Sequence, residues 1–262
     1  MSLSKPYLRI TRPKAFIPNY IMDSRYAPDR LQLGRAYINI EKELRNIFNY
    51  IEPDERNKNV FSFELYSLLL RACTEVELNC KLIMEANGAK PTNGKHFTMT
   101  DYIKLERSSK LSKYIAVFPN WRKRADPNDT ESELKYEDKK MIPFAKFGDP
   151  TPTKPEWYTA YNDVKHDREN FLEKASFDNC IYAVAGILVL LYSQFGSRCV
   201  NTYGINNLDM GCWDDDYDGI FDADVIFSII RPTLNDWAPD ELYEFDWKVL
   251  SNNPNPFDKF SF

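Results

Sequence analysis

The fold is decided by residues 62–88, SFELYSLLLRACTEVELNCKLIMEANG. Apolar side chains recur in this stretch at intervals of three and four residues, so they share one face of an α-helix. The face consists of Leu65, Leu69, Ala72, Val76, Cys80 and Ile83. Ser62 can cap the start of the helix, and Gly88 can end it. The stretch therefore predicts a long helix that packs one face into a core.

Two further segments predict long helices. In residues 34–53 a second apolar stripe is followed by Pro53, which stops a helix. This stripe consists of Tyr37, Ile40, Leu44, Ile47 and Ile51. Residues 177–196 contain the apolar run CIYAVAGILVLLY, with Ser176 as the expected cap and Gly196 as the terminator.

The rest of the chain predicts shorter and less regular elements. A fourth helix is expected from Pro155 to about His166, because proline is favoured in a first helical turn. Strand-like composition occurs in KYIAVF (113–118), MIPFAKF (141–147), DVIFSII (224–230) and YEFDWKVL (243–250).

Together these elements predict a mainly α protein, an antiparallel helical bundle. Residues 1–32 would form an N-terminal extended segment. Residues 33–196 would form the bundle, with an irregular basic insertion at about 89–155 that carries a short helix near residues 100–110. Residues 197–262 would form an acidic C-terminal extension with a small β element, packed on the bundle.

Charge is unevenly distributed in a chain whose net charge is −5. Residues 209–262 hold 13 acidic and three basic residues, whereas the insertion carries a basic stretch. The basic residues of interest are Lys104, Arg107, Lys110, Arg122, Lys123 and Arg124. They are candidates for binding an RNA backbone, although a solvated surface is the commoner explanation for such a stretch. The acidic extension could also pack against them as an intramolecular mask.

Cysteine usage and hydropathy favour a cytoplasmic protein without a membrane role. The five cysteines are an odd number with no C-x-x-C spacing, which is typical of reduced thiols. The longest apolar run, residues 180–192, spans 13 residues and is too short to cross a bilayer. The first residues lack the apolar core of a signal peptide.

The sequence lacks the motifs of several enzyme classes. It contains no glycine-rich phosphate loop, no H-E-x-x-H and no G-x-S-x-G, and its two histidines exclude a multi-histidine zinc centre within one chain. No cofactor is expected. A weak alternative is a cation site in DDDYDGIFDADV (214–225), where the candidate ligands are Asp214, Asp216, Asp218 and Asp222. Val225 stands where a calcium loop needs a glutamate, so an exposed acidic turn is the favoured interpretation.

The stretch WYTAYNDVKHDREN (157–170) contains a candidate reaction centre. On a helix, Tyr158, Asn162 and His166 share one face because they are four residues apart, and Lys165 lies beside Asn162. A neutral imidazole can accept a proton near pH 7, and an ammonium can bind a phosphate. The alternative is a solvated helix end whose positive charges complement the helix dipole.

The pattern YNDVKH (161–166), followed by FLEKA (171–175) and a long apolar helix, resembles the HEPN superfamily. The stretch LLLRACTEVELNCKLI (68–83) also resembles the first long helix of many bacterial members. This resemblance covers residues 33–196 and implies a helical bundle that acts as an RNA-cleaving toxin or defence protein. Active members dimerise and cleave RNA without a metal, by helping the ribose 2′-hydroxyl attack the adjacent phosphate.

The family motif is an arginine and a polar residue followed by a histidine, and this chain matches only part of it. Asn162 and His166 match the polar residue and the histidine, whereas Tyr161 stands in place of the arginine. Lys165 or Arg168 would then supply the missing positive charge.

The resemblance leaves two functions open. One is a metal-independent endoribonuclease, with Glu75 of the neighbouring helix orienting the imidazole or a basic residue. The other is a non-catalytic dimeric binding module that kept the bundle and lost the active site. RNA, a second copy of the chain and a regulatory protein are the expected partners.

Overall fold

The structure is a computed structural model that describes residues 2–13, 19–126, 131–196 and 226–262. Within these ranges the chain is mainly helical and has one small antiparallel sheet. The helices are α1 (Arg30–Ile47), α2 (Phe63–Ala86), α3 (Met99–Tyr102), α4 (Leu105–Ser109), α5 (Glu156–His166), α6 (Arg168–Phe171), α7 (Phe177–Phe195) and α8 (Trp247–Leu250). The strands are β1 (Ile115–Arg124), β2 (Leu134–Met141) and β3 (Ser228–Ile230).

Helix α2 has the ends and the buried face that its sequence predicts. The Ser62 hydroxyl accepts a hydrogen bond from the backbone N–H of Leu65 at 3.1 Å, which caps the first turn. At the other end Gly88 adopts a φ of +77°, in the left-handed region that glycine tolerates best. All six residues of the predicted apolar face are buried. The apolar stripe is therefore confirmed as part of the core.

Helix α7 runs parallel to α2. The Cys180 thiol donates to the Leu65 carbonyl at 3.1 Å near the start of both helices. Near their far ends, the Gln194 side-chain amide donates to Asn79 Oδ1 at 2.9 Å. These two contacts fix the direction and the register of the central helix pair.

Helix α1 runs antiparallel to α7, and α5 runs antiparallel to α2. The Phe48 ring, just after α1, lies 6.0 Å from the Phe177 ring at the start of α7. On α5, the Tyr158 hydroxyl contacts Glu77 in the second half of α2. The four long helices therefore alternate in direction along the chain.

Helix α7 is the most deeply buried of the long helices. It extends beyond the 13-residue apolar run on both sides, so in the described part of the chain it is the one helix whose length and composition would allow it to cross a membrane. However, 83% of its most apolar 18-residue stretch is buried inside the protein, as in the core helix of a bundle. Ser176 caps its start by accepting the backbone N–H of Asn179 at 3.3 Å. Its apolar side chains are used in packing against α1, α2 and α5.

The small sheet has the strand order β2-β1-β3, with antiparallel pairing throughout. The register of β1 and β2 shifts between Phe118 and Trp121, and Asn120 has a φ of +56°. Pro119 lies at this irregularity, where its missing N–H does not interrupt a regular ladder. Strand β1 confirms the strand predicted at 113–118, and β3 confirms part of the one at 224–230.

Two predicted strands are wrong. In MIPFAKF, Ala145–Phe147 forms a 3-10 turn, and Phe144 and Phe147 are buried. In YEFDWKVL, only Tyr243 forms an isolated bridge, and helix α8 follows because Asp246 caps it by accepting the Lys248 N–H at 2.9 Å. In both segments a local turn or cap outweighs the β propensity of the aromatic residues.

The N-terminal and C-terminal segments are joined to each other. Leu3 exchanges backbone hydrogen bonds with the 242–244 segment at 2.8 and 2.9 Å, and Leu8 donates to the Asp258 carbonyl at 3.2 Å. Beyond this pairing, the N-terminal segment includes a 3-10 turn at Asn19–Met22. Helix α1 begins at Arg30, three residues before the predicted start of the bundle.

Cys73, Cys80 and Cys180 are free and fully buried. Burial raises the pKa of all three thiols, so they remain protonated at neutral pH and are poor nucleophiles. The other two cysteines, Cys199 and Cys212, lie outside the described residues, as does the acidic stretch 214–225 with Asp214, Asp216, Asp218 and Asp222.

Candidate functional site

Helix α5 positions the residues of the predicted reaction centre on the core formed by α2 and α7. Trp157 and Val164 are buried, and the Trp157 indole N–H donates to the Pro143 carbonyl at 2.8 Å. This contact fixes the start of the helix, which begins directly after Pro155. His166 is the last residue of the helix and is exposed to solvent.

A buried tyrosine joins α5 to an acidic residue of α2. The Tyr158 hydroxyl donates to Glu77 Oε1 at 2.6 Å. Burial, followed by this hydrogen bond to Glu77, raises the pKa of Tyr158, so the hydroxyl keeps its proton. Glu77 is therefore the carboxylate that contacts α5.

Lys165 is held by the next tyrosine along α5. Its ammonium donates to the Tyr161 hydroxyl at 2.8 Å and lies 4.9 Å from the Tyr161 ring centroid. The Tyr161 side chain is fully buried, whereas Lys165 reaches it from the surface. The hydrogen bond to Tyr161, together with the charge of Glu77, raises the pKa of Lys165. The positive charge at this position is therefore permanent at neutral pH.

The side chains of His166 and Asn162 differ in their hydrogen bonds to the rest of the protein. The His166 imidazole forms no hydrogen bond or ion pair with any residue that the structure describes. The Asn162 amide nitrogen donates to the Tyr158 carbonyl at 3.0 Å within α5. Its side-chain oxygen accepts no hydrogen bond from the described part of the protein. On the face of α5 that carries Asn162 and His166, the imidazole and this oxygen are therefore available to bind a ligand.

Arg168 and Glu75 have partners other than the imidazole. Arg168, in α6, places its guanidinium 5.5 and 5.7 Å from the ring centroids of Phe63 and Tyr66 at the start of α2. Glu75 forms no bond to His166; burial raises its pKa, and its opposing charge is Arg71. The structure therefore brings Tyr161, Lys165 and Glu77 together, and it places Arg168 on a neighbouring surface.

Glu77 is the functional candidate that sequence reasoning missed. Its spacing of four residues from Cys73 and three from Cys80 places it at the border of the buried face of α2. A carboxylate at such a border needs a polar partner, and Tyr158 provides it. The position of Glu77 beside the buried face can be predicted from the sequence. Its partner, Tyr158, cannot, because it depends on how α5 packs against α2.

The basic stretch does not form one continuous surface of unpaired charges. Its contacts are Lys104 with Thr92 and Asp101, Arg107 with the Phe260 ring, Lys110 with Glu241, Arg122 with Asp54, Lys123 with Glu137, and Arg124 with the Ser132 carbonyl. The first three residues lie at α3 and α4, and the last three lie on β1. The Lys110–Glu241 pair, with N and O atoms 3.4 Å apart, is one contact between the basic stretch and the C-terminal segment.

Protein-family models, curated proteins and solved structures were all compared with this chain, and no match was found.

Proposed function

We propose that this protein is a HEPN-like, metal-independent endoribonuclease of a toxin or phage-defence system, with its reaction centre at the exposed end of α5. The observation that carries the proposal is the Lys165 ammonium, held 2.8 Å from the Tyr161 hydroxyl and one residue from the exposed His166. Tyr161 stands at the position of the family's arginine. Because the Lys165 ammonium is bound to the Tyr161 hydroxyl, it supplies a positive charge close to that position.

His166 is the proton-transfer group in this proposal. Its side chain is exposed and has no partner among the described residues, so a ribose 2′-hydroxyl or a leaving 5′-oxygen has access to it. A neutral imidazole can accept a proton, and an imidazolium can donate one. The reaction forms a bond from the 2′-oxygen to phosphorus and breaks the bond from phosphorus to the 5′-oxygen.

Lys165 stabilises the negative charge that develops on the phosphate oxygens. A fixed ammonium beside the reacting group acts by electrostatic stabilisation, which is commonly the largest contribution to such a reaction. Asn162 offers its free side-chain oxygen to orient the imidazole or the attacking hydroxyl. A homodimer in the cytoplasm, as the resemblance implies, would supply a second set of these groups.

One observation favours a second candidate, the non-catalytic binding module. The Asn162 amide nitrogen is already bonded to Tyr158, and no carboxylate of the described ranges contacts His166. A histidine without an orienting partner is a weaker general base than one held in a fixed tautomer. The module would keep the helical packing and bind RNA or a regulatory protein.

Cleavage of total RNA in EDTA by the purified protein separates the two candidates. The chain offers a matched control, because its only other histidine, His96, is also exposed. We expect wild type and His96→Ala to cleave RNA and His166→Ala to lose at least about 99% of the rate, the scale for losing a general acid or base. Circular dichroism and light scattering check folding and dimerisation. Equal rates in all three proteins, or no cleavage by a folded wild-type dimer, would reject the ribonuclease.

A further inference from the structure

A cleft of about 320 Å³ lies at the far end of α2, where the loop after this helix meets the last residues of the described chain. Asn87 and Lys90 form one side of it, Lys104 contributes from the segment between α3 and α4, and Lys259 and Phe260 form the other side. Three segments distant in sequence thus place three lysines around one opening.

The lining of this cleft is positively charged. Among the described residues that line it are three lysines and no aspartate or glutamate. The Lys104 ammonium donates to the Thr92 hydroxyl at 2.8 Å and lies 3.4 Å from Asp101, which offsets part of its charge. The side chains of Lys90 and Lys259 form no hydrogen bond or ion pair within the described ranges. Two of the three lining lysines therefore carry a charge that no described ion pair offsets.

These lysines are not needed to complete the end of α2. The Ala89 N–H donates to the Met84 carbonyl at 3.0 Å, and the Gly88 N–H donates to the Glu85 carbonyl at 2.9 Å. This is the Schellman arrangement, in which backbone groups satisfy the last carbonyls of a helix. The ammonium groups remain available to a ligand.

The walls of the cleft are fixed by a buried side chain. Asn87 donates to the Leu8 carbonyl at 2.9 Å and to the Ile83 carbonyl at 2.8 Å, and its oxygen accepts the Phe260 N–H at 2.8 Å. One side chain thus joins the N-terminal segment, α2 and the C-terminal segment. The lysine backbones on opposite sides of the cleft are held at a set separation.

Two guanidinium groups add to the charge behind the wall. Arg12 lies 5.7 Å and Arg107 6.0 Å from the centroid of the Phe260 ring. Phosphate groups are bound in proteins by such clusters of lysine and arginine, and lysine contributes as a point charge. A ligand that reaches all three lysines must carry several negative charges along its length.

We propose that this cleft binds a small multivalent phosphate, a linear polyphosphate chain that is either free or part of a nucleoside triphosphate. The site is separate from the α5 centre. Asn87 lies 10 residues along α2 from Glu77, the residue whose carboxylate contacts α5, so at 1.5 Å per residue the cleft lies about 15 Å along the helix from that contact. The proposal does not depend on the ribonuclease.

Calorimetric titration of the full chain with three probes tests the proposal: inorganic triphosphate, ATP and adenosine. The test variant is Lys90→Gln/Lys259→Gln. The matched control is Lys140→Gln/Lys154→Gln, which removes the same charge from two exposed lysines that have no described partner. Thermal unfolding checks that both variants fold as the wild type does.

We expect saturable binding of inorganic triphosphate and ATP, no binding of adenosine, and a loss of affinity of at least about tenfold in the test variant alone. Similar affinities for triphosphate and ATP would identify the phosphate chain as the ligand, and tighter binding of ATP would identify the nucleotide. Absence of saturable binding, binding of adenosine, or equal weakening in the control variant would overturn the proposal.

Discussion

Tyr161 links the buried core to the surface. Its ring packs in the core, and its hydroxyl accepts a hydrogen bond from Lys165. A tyrosine cannot replace the bidentate charge of an arginine, but it can hold a lysine in place. In the function that we propose, Lys165 therefore compensates, within one helical turn, for the arginine that a HEPN motif would have at position 161.

Removing only the Tyr161 hydroxyl tests this compensation. We expect Tyr161→Phe to lower the RNA cleavage rate about tenfold, because the Lys165 ammonium loses its anchor. The ring stays, so the free energy of unfolding should change by no more than about 1 kcal/mol. Single-turnover cleavage and urea unfolding measure the two quantities. Tyr136→Phe is the control, since Tyr136 is 63% exposed. Full activity in Tyr161→Phe would show that Lys165 acts without this anchor.

At the residue scale, the sequence predicted which residues share a helical turn but not which atoms meet. Spacing alone placed Asn162, Lys165 and His166 close together. Whether Lys165 points to solvent or to Tyr161 depends on the depth at which α5 docks, and a pattern does not encode this depth. The choice of Glu77 rather than Glu75 as the contact to α5 depends on the same docking.

Asp101 shows how one buried carboxylate orders a short element, α3. One oxygen accepts hydrogen bonds from the N–H and hydroxyl of Thr92, and the other accepts from the N–H and hydroxyl of Thr98. Burial acts to raise the pKa of this carboxyl, but the hydrogen bonds from Thr92 and Thr98 outweigh it and lower the pKa to about 2. The ionised form is therefore the one that stabilises the fold.

The pH dependence of stability follows from the lowered pKa of Asp101. Its contribution of about 2 kcal/mol is present above the unfolded pKa near 4 and is lost as the pH falls towards 2. We expect Asp101→Asn to lose about this amount at pH 7 and to show a flatter stability curve between pH 4 and pH 2. Urea unfolding across that range measures it, with the exposed Asp240→Asn as the control. Parallel curves for wild type and Asp101→Asn would contradict the assignment.

At the scale of elements, periodicity predicted the long helices well and the strands poorly. The apolar faces of α1, α2 and α7 are determined by local spacing, and the caps of α2 and α7 are read directly from Ser62 and Ser176. Strand β2 has mostly charged, exposed residues, so it lacks the alternation that marks a half-buried strand. Its structure comes from pairing with β1, which sequence spacing does not reveal.

At the scale of the whole molecule, the two ends of the described chain stabilise each other through Tyr243. Its hydroxyl accepts the Tyr7 N–H at 2.8 Å and donates to the Ile10 carbonyl at 2.9 Å. The ring is fully buried and lies 6.1 Å from the Tyr20 ring. Local sequence patterns do not predict such contacts, because the residues are more than 200 positions apart.

Loss of the Tyr243 hydroxyl should weaken this junction. We expect Tyr243→Phe to lower the free energy of unfolding by about 1–3 kcal/mol, because the part-buried Tyr7 N–H and the buried Ile10 carbonyl lose their partner. Urea unfolding measures the change against Tyr136→Phe, in which an exposed hydroxyl is removed. Cleavage activity per folded molecule should be unchanged. A loss below about 0.5 kcal/mol would show that the junction contributes little.

In the function that we propose, the exposed end of α5 cleaves RNA through the ribose 2′-hydroxyl without a metal. The most direct measurement compares, in EDTA, an RNA oligonucleotide with the same oligonucleotide methylated at every 2′-oxygen. We expect the wild-type protein to cleave only the unmodified RNA, leaving 2′,3′-cyclic phosphate and 5′-hydroxyl ends. Cleavage of both, cleavage that leaves 5′-phosphate ends, or failure of a folded dimer to cleave either would contradict the proposal.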